Sequence, residues 1–246
     1  MTTLAGKTAL VTGGSRGIGA AIVRALAGQG ADVAFTYSKS ATQAEALIKE
    51  LSSKGRTIKG YAADAADLQQ LPALVDEVML DFGALHILVN NAGIYSGGLI
   101  GEIPMEEYRR VMTVNVDALF VLTQAAVKVM EKDARIINIG SILGERASAP
   151  GMSVYNASKF AVAGLSRSWA KDLGPRGILV NDIQPGPIDT ELNPANGPGA
   201  DFMRGMTALG RYGRAEEIAN VAAFLAGPGA SYMTGATINV DGGWNA

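Results

Sequence analysis

No cysteine occurs among the 246 residues, so disulfides, thiolate nucleophiles and cysteine metal sites are excluded. A single histidine, His86, argues against a zinc centre and against a histidine-centred triad. Aromatic residues are scarce at 6% while hydrophobic residues reach 48%, so the core must be built from aliphatic and small side chains. An excess of either charge is also missing. Lys plus Arg number 21 against 23 Asp plus Glu, a net charge of −2, which leaves no electrostatic footprint for nucleic acid or an anionic membrane. Long uninterrupted apolar runs are absent too. Met1 to Gly14 has neither a long apolar core nor a cleavage pattern, and the uncharged stretch Ile218 to Val240 is broken by Gly227-Pro228-Gly229 and by Ser231, Thr234, Thr237 and Asn239. No membrane span is expected, and a cytoplasmic protein is the expectation.

What the chain does have is glycine, 31 residues of it, placed between periodic segments as turns and close approaches. Short apolar runs alternate with longer helical patterns throughout. Strands are expected at Thr8 to Val11, Asp32 to Tyr37, Thr57 to Ala62, His86 to Asn90, Arg135 to Gly140, Ile178 to Ile183 and Thr237 to Val240. Helices are expected at Ala20 to Ala27, Thr42 to Ser53, Leu68 to Phe82, Met105 to Met130, Ser153 to Leu173 and Ala215 to Leu225. This alternation predicts an α/β fold, a Rossmann-type doubly wound parallel sheet of roughly seven strands with helices on both faces. Continuous aliphatic runs such as Ile87-Leu88-Val89 suit strands buried on both sides. One dinucleotide-binding domain over residues 1–246 is expected, interrupted near 190–210 by a mobile Pro/Gly-rich substrate lid.

Two motifs carry chemistry. Thr12-Gly13-Gly14-Ser15-Arg16-Gly17-Ile18-Gly19 follows the first strand and opens the first helix. Glycines there permit a tight turn and close backbone approach to a pyrophosphate, while the helix N-terminus offers free N–H groups and a positive dipole. The second motif is Tyr155-Asn-Ala-Ser-Lys159, whose four-residue spacing puts the phenol and the ammonium on one helix face. A neighbouring cation is expected to lower the tyrosine pKa from about 10, making Tyr155 a general acid/base for an alcohol or carbonyl oxygen. Asp182 and Asp189 suggest no metal site, because nothing completes a ligand set around them.

With Asn90-Asn91-Ala92-Gly93, Asn115, Ser141 and Pro185-Gly186 added in order, the whole chain resembles the short-chain dehydrogenases/reductases. Within them it is most similar to bacterial 3-oxoacyl-carrier-protein reductases and related carbonyl reductases. The resemblance implies a catalytic set of Asn115, Ser141, Tyr155 and Lys159. Ser141 would polarise the substrate carbonyl, Tyr155 would deliver the proton, Lys159 would grip the nicotinamide ribose, and Asn115 would hold a relay water. It also implies cofactor contacts at Gly13, Ser15, Gly17, Ile18 and Gly19 in the glycine turn. Further contacts are Asp64 on the adenine, Asn90, Ala92 and Gly93 on its ribose, and Pro185, Gly186, Ile188 and Thr190 around the carboxamide. A homotetramer assembled through the two long helices and the carboxyl-terminal segment is implied as well.

Cofactor choice follows from a missing acid. A carboxylate after the second strand selects NAD by binding the ribose 2′-hydroxyl. Here Phe35-Thr36-Tyr37-Ser38-Lys39-Ser40 has none, and Arg16, Lys39 and Ser38 are placed to hold the 2′-phosphate of NADPH. The expected activity is NADPH-dependent reduction of a ketone to a secondary alcohol. One alternative is a 3-oxoacyl-carrier-protein reductase, for which Lys128, Lys132 and Arg176 are the basic candidates for meeting an acidic acyl carrier protein. Another, of a different class, is a nucleotide-binding regulator without turnover.

Overall fold

In the computed structural model, which describes residues 3–53 and 55–246, seven strands form one sheet. They are β1 (Thr8–Val11), β2 (Asp32–Tyr37), β3 (Ile58–Ala62), β4 (Ile87–Asn90), β5 (Arg135–Ile139), β6 (Leu179–Pro185) and β9 (Thr237–Val240). Their order is β3-β2-β1-β4-β5-β6-β9, and every neighbouring pair is parallel. The chain winds outward from β1 to β3, then returns to β4 on the other side of β1. Open parallel sheets form a ligand crevice at such a reversal, beyond the carboxyl ends of the strands.

Alternation along the strands explains the layers. Ala9, Val11, Val33, Phe35 and Val89 pack on the side of α1 (Gly17–Gly28), α2 (Ala41–Ser52) and α8 (Ala215–Ala226). Leu10, Ala34, Leu88, Ile136 and Val180 face α3 (Leu71–Phe82), α5 (Ala118–Val129) and α6 (Ser153–Leu173). Because both faces are covered, the strands can be aliphatic at consecutive positions.

One expectation is corrected. Met105 to Met130 is not one regular helix: α4 (Met105–Met112) passes into a π-helical turn (Thr113–Asp117) before α5 begins. The turn buries Asn115, whose side chain bonds Ile94 across the gap, and π-helical insertions are frequent at functional sites. Residues Met105–Val129 are long and apolar enough to cross a membrane, yet Leu119, Leu122 and Ala126 are buried in the core. The segment near 190–210, expected to form a lid, carries secondary structure of its own. It contains α7 (Ala200–Met206), and its base is paired through β7 (Ile188–Asp189) and β8 (Gly213–Arg214).

A buried polar chain ties the centre of the sheet to α5 and α6. Asn90 donates to Thr123 Oγ1 at 3.0 Å and to Asn138 Oδ1 at 2.9 Å; Asn138 donates to Ser166 Oγ at 2.8 Å. Ser166 in turn donates to the Val162 carbonyl at 2.8 Å. Substituting Asn138→Ala leaves the Asn90 amide and the Ser166 hydroxyl without a shared partner. The expected cost is about 1–3 kcal/mol, read as a lower urea midpoint with an unchanged slope.

Candidate active site

The glycine turn is held from two sides. Gly14 N–H donates to the Thr36 carbonyl at 2.8 Å, and Gly13 N–H donates to Thr36 Oγ1 at 3.0 Å. From β4, the Asn91 amide donates to the carbonyls of Thr12 at 2.8 Å and Gly13 at 3.1 Å. Gly13 and Gly17 have φ of 62° and 52°, the left-handed region that favours glycine. Gly19 is required by space: a Cβ there would stand 2.2 Å from the Gly13 carbonyl oxygen. Helix α1 starts after Arg16 with no side chain capping its N-terminus, so its first N–H groups face outward for an anion.

These groups border a groove of about 640 Å³ across the carboxyl ends of the strands. Every cofactor contact predicted from the sequence lines it except Asn90, and Ser141 joins them. Asn90 turns inward to Thr123 and Asn138 and borders a small void of about 20 Å³ beneath the groove. Ser38 and Lys39 are exposed on the groove wall after β2. Asp64 also lines the groove, while its Oδ1 accepts from Ala66 N–H at 3.0 Å in a local turn. Arg16 is engaged, its guanidinium 3.3 Å from the Glu191 carboxylate, with side chains 55% and 61% exposed. That pair spans the groove mouth, from the glycine turn to the segment after β7.

At the far end stand Ser141, Tyr155 and Lys159. Ser141 ends β5 and starts a short 3-10 turn (Ile142–Gly144), accepting from Leu143 N–H at 3.2 Å. Tyr155 and Lys159 lie one turn apart on α6, with Nζ 5.7 Å from the phenol ring centre. Lys159 Nζ donates to the Ile139 carbonyl at 2.9 Å. The Tyr155 pKa moves in the direction opposite to the expected one. Burial raises the Tyr155 pKa, with a hydrogen bond from Ser141 opposing the rise, and burial lowers Lys159 to about 8. Water exclusion disfavours both charged forms, and an ammonium spent on a carbonyl does not overcome it.

The Asn115 side chain is held by partners on two elements. Its Oδ1 accepts from Ile94 N–H at 2.8 Å, and its Nδ2 donates to the Ile94 carbonyl at 2.9 Å and to Ser158 Oγ at 3.0 Å. The side chain therefore braces the loop after β4 against α6. His86 is structural, its Nδ1 accepting from Thr8 N–H at 3.0 Å. Among the groove residues that escaped the sequence reading are Asn91, Tyr95 and Glu191. Asn91 lay inside a motif whose other members drew the attention; Tyr95 and Glu191 carried no local signal. The Tyr95 ring meets the Tyr155 ring edge-on at 5.3 Å.

A family model described as Enoyl-(Acyl carrier protein) reductase matches residues 13–245. The chain is 44% identical over 241 residues to the cyclic-di-GMP-binding biofilm dispersal mediator protein of Escherichia coli K12, covering 98% of each. It is 38% identical to the 3-oxoacyl-[acyl-carrier-protein] reductase of Synechocystis, over 99% of this chain and 98% of that one. A short-chain dehydrogenase from Burkholderia cenocepacia, solved with NADP, superposes with a TM-score of 0.98 at 45% identity, covering 99% of this chain and 100% of the other. The chain belongs to the short-chain dehydrogenase/reductase family. It is accordingly an NAD(P)-dependent oxidoreductase acting on the CH–OH/C=O pair.

The glycine turn yields a direct expectation. Gly19→Ala forces the turn to move, and dinucleotide affinity should fall by roughly 10²-fold. Fluorescence titration with NADPH reads this, and an unchanged dissociation constant would remove the turn as the pyrophosphate seat.

Proposed function

We propose that the protein is an NADPH-dependent carbonyl reductase that converts a ketone to a secondary alcohol, with Tyr155 as proton donor. The observation that carries this reading is the convergence of Ser141, Tyr155 and Lys159 at one end of a dinucleotide-sized groove, with Lys159 Nζ 5.7 Å from the Tyr155 ring centre. NADPH would supply the hydride. Gly13, Ser15, Gly17 and Ile18 would hold its pyrophosphate, and Ser38, Lys39 and Arg16 its 2′-phosphate. Ala92 and Gly93 would border the adenosine half, and Ile188 and Thr190 the nicotinamide half.

The residues then divide the chemistry. Ser141 donates a hydrogen bond to the substrate oxygen and fixes the carbonyl; Tyr155 gives its proton to that oxygen as charge develops there. Lys159, when charged, stabilises the phenolate left behind. The Asn115 brace keeps Gly93 close beneath the groove, where a Cβ would stand 3.4 Å from Asn115 Oδ1 and 3.7 Å from Lys159 Nζ.

NADPH over NADH is supported by the lack of any carboxylate at Ser38 or Lys39. The Arg16–Glu191 pair is exposed, and exposed pairs are weak, so a 2′-phosphate can take Arg16 from Glu191. A free ketone is favoured over a carrier-bound thioester. Lys128, Lys132 and Arg176 come just before β5 and β6, at the amino ends of the strands, whereas the groove opens at their carboxyl ends. Arg176 is moreover spent on the carbonyls of Val127 and Met130, both at 2.8 Å. The edge-on Tyr95 and the 67%-exposed Leu192 give the groove mouth an apolar border suited to a small ketone. A regulator without turnover, a reading to which the name of the Escherichia coli relative also points, would have no use for Ser141, Tyr155 and Lys159 gathered at one end of the groove.

The assembly we infer is a homotetramer, with exposed Phe120 and Phe160 on α5 and α6 as the apolar contact, and the compartment is the cytoplasm. The segment from 190 to 210 would act as a lid hinged at the β7–β8 pair.

Tyr155→Phe should cut ketone reduction by roughly 10² or more with NADPH affinity nearly unchanged, followed by NADPH absorbance on a ketone panel that includes an acyl-carrier-protein thioester. Near-normal turnover by that variant would discard the mechanism. The raised Tyr155 pKa also sets a sign. Alcohol oxidation needs the phenolate and should climb as pH rises above neutral, while reduction holds at neutral pH. Replacing both cations, Arg16→Ala with Lys39→Ala, should lower kcat/KM for NADPH at least tenfold and spare NADH, since a charge-assisted contact is worth about 1.5–3 kcal/mol. Glu191→Gln frees Arg16 and should tighten NADPH by no more than about fivefold; weaker binding would contradict the competition between carboxylate and phosphate.

A further inference from the structure

Asp182 lies in the middle of β6, fully buried, on the face that packs against α6. Its neighbour on that face two residues back, Val180, is an aliphatic core residue, and Gln184 follows two residues on. Space for the carboxylate exists because residue 140, just before Ser141, is glycine. A Cβ on Gly140 would stand 2.6 Å from Asp182 Oδ1 and 3.0 Å from Oδ2. Gln184 Nε2 donates to Asp182 Oδ2 at 3.1 Å. That same Nε2 would be 3.1 Å from a Cβ on Gly144, which would also stand 2.8 Å from the Lys159 carbonyl oxygen. Asp182 and Gln184 thus fill the gap between the end of β5, the 3-10 turn and the turn of α6 that bears Lys159.

Among the described residues, Asp182 Oδ1 and Gln184 Oε1 are buried without hydrogen-bond partners. A carboxylate in such a place is costly to the fold, where a second valine would pack with none of that cost. Two cations act on it, both from α6: Lys159, and Arg167, which donates to Thr237 Oγ1 at 3.1 Å, Thr237 being the β9 residue in register with Asp182. The attraction toward Lys159 is mutual.

Resting on the ketone-reductase reading above, we propose that Asp182 is a positioning residue that sets the charge of Lys159 from beneath the site and supports the Gly140–Ser141 strand end. Asp182 touches neither substrate nor cofactor and acts through Lys159. Burial pushes the Asp182 carboxyl up to about 6 and the lysine down to about 8, and Asp182 opposes the second of these shifts. Between those values the carboxylate and the ammonium are both charged. That window covers neutral pH.

The test uses Asp182→Asn, with Asp182→Val as a second variant that matches the aliphatic neighbour. Loss of the carboxylate leaves Lys159 with burial unopposed, so its alkaline limb in the kcat/KM profile for ketone reduction should move down by roughly one pH unit. In a Lys159→Ala background the same substitution should leave the profile unmoved. NADPH affinity measured against pH by fluorescence reports the same ionisation without any substrate. It separates failure of this proposal from failure to find a ketone. Stability supplies a contrast of opposite sign. The folded pKa of Asp182 exceeds its ordinary value of 3.8, so its contribution is fullest at acid pH and is lost as pH rises through about 6. Asp182→Asn should therefore melt at or above the wild-type temperature at pH 8 while its pH profiles are displaced. Unmoved activity and binding profiles in both variants would overturn the proposal, and with a melting temperature lowered at pH 8 they would make Asp182 a packing residue.

Discussion

Partial exclusion of water from the groove floor at the carboxyl ends of β5 and β6 is the condition on which the proposed active site depends. It acts on three groups at once and drives each toward its neutral form. Tyr155 is held as a phenol, Lys159 falls to about 8, and Asp182 climbs to about 6. In open water these groups would be phenol, ammonium and carboxylate with wide margins at neutral pH. Burial narrows the last two margins to within reach of the working pH. A proton relay needs groups whose proton affinities lie close to the pH at which they exchange. The parallel sheet supplies the rest, since its strand ends present carbonyls such as that of Ile139, to which Lys159 is anchored.

Such a site has to be rigid, and the rigidity comes from backbones brought into contact at glycine. Gly19 lies against the Gly13 carbonyl, Gly140 over Asp182, Gly144 over the Lys159 carbonyl, and Gly186 beside Asp241, where a Cβ would be 2.6 Å from Cα. The Gly140 and Gly144 contacts join the end of β5 and the 3-10 turn to β6 and α6. The π-helical turn does similar work from the other side, pointing Asn115 at Ile94 and so fixing the loop that follows β4. The two ends of the groove are therefore held by the same few approaches.

Sequence legibility followed the range of the interactions. The glycine turn could be read because positive φ and tight approach leave few residue choices, and Tyr155 with Lys159 because helical spacing is local. Strand and helix positions were legible for the same reason. The π-turn was not, since an inserted residue leaves the apolar pattern of Met105 to Met130 nearly intact. The sign of the Tyr155 shift was misjudged because two residues on a helix reveal their distance but not how much water surrounds them. Asp182 was seen and set aside as half of an implausible metal pair. Its partners, Gly140, Lys159 and Arg167, come from other elements, so nothing in its own neighbourhood announced a role. The Arg16–Glu191 pair joins residues 175 apart in sequence and depends entirely on the fold.

The two ends of the groove are built to opposite rules. At the mouth, Arg16 and Glu191 are more than half exposed, so their attraction is screened and easily exchanged for another anion. At the floor, Lys159 and Asp182 are sealed, and a change of one charge there is felt strongly by the other. The contrast suits the tasks. A cofactor that must leave after each turnover needs contacts that water and a rival carboxylate can replace. A proton donor that must act at one oxygen needs surroundings that do not relax. Reversing the arrangement would trap the cofactor and blur the proton transfer. For that reason the unpaired oxygen of Asp182 makes better physical sense as part of the reaction machinery than as an accident of packing.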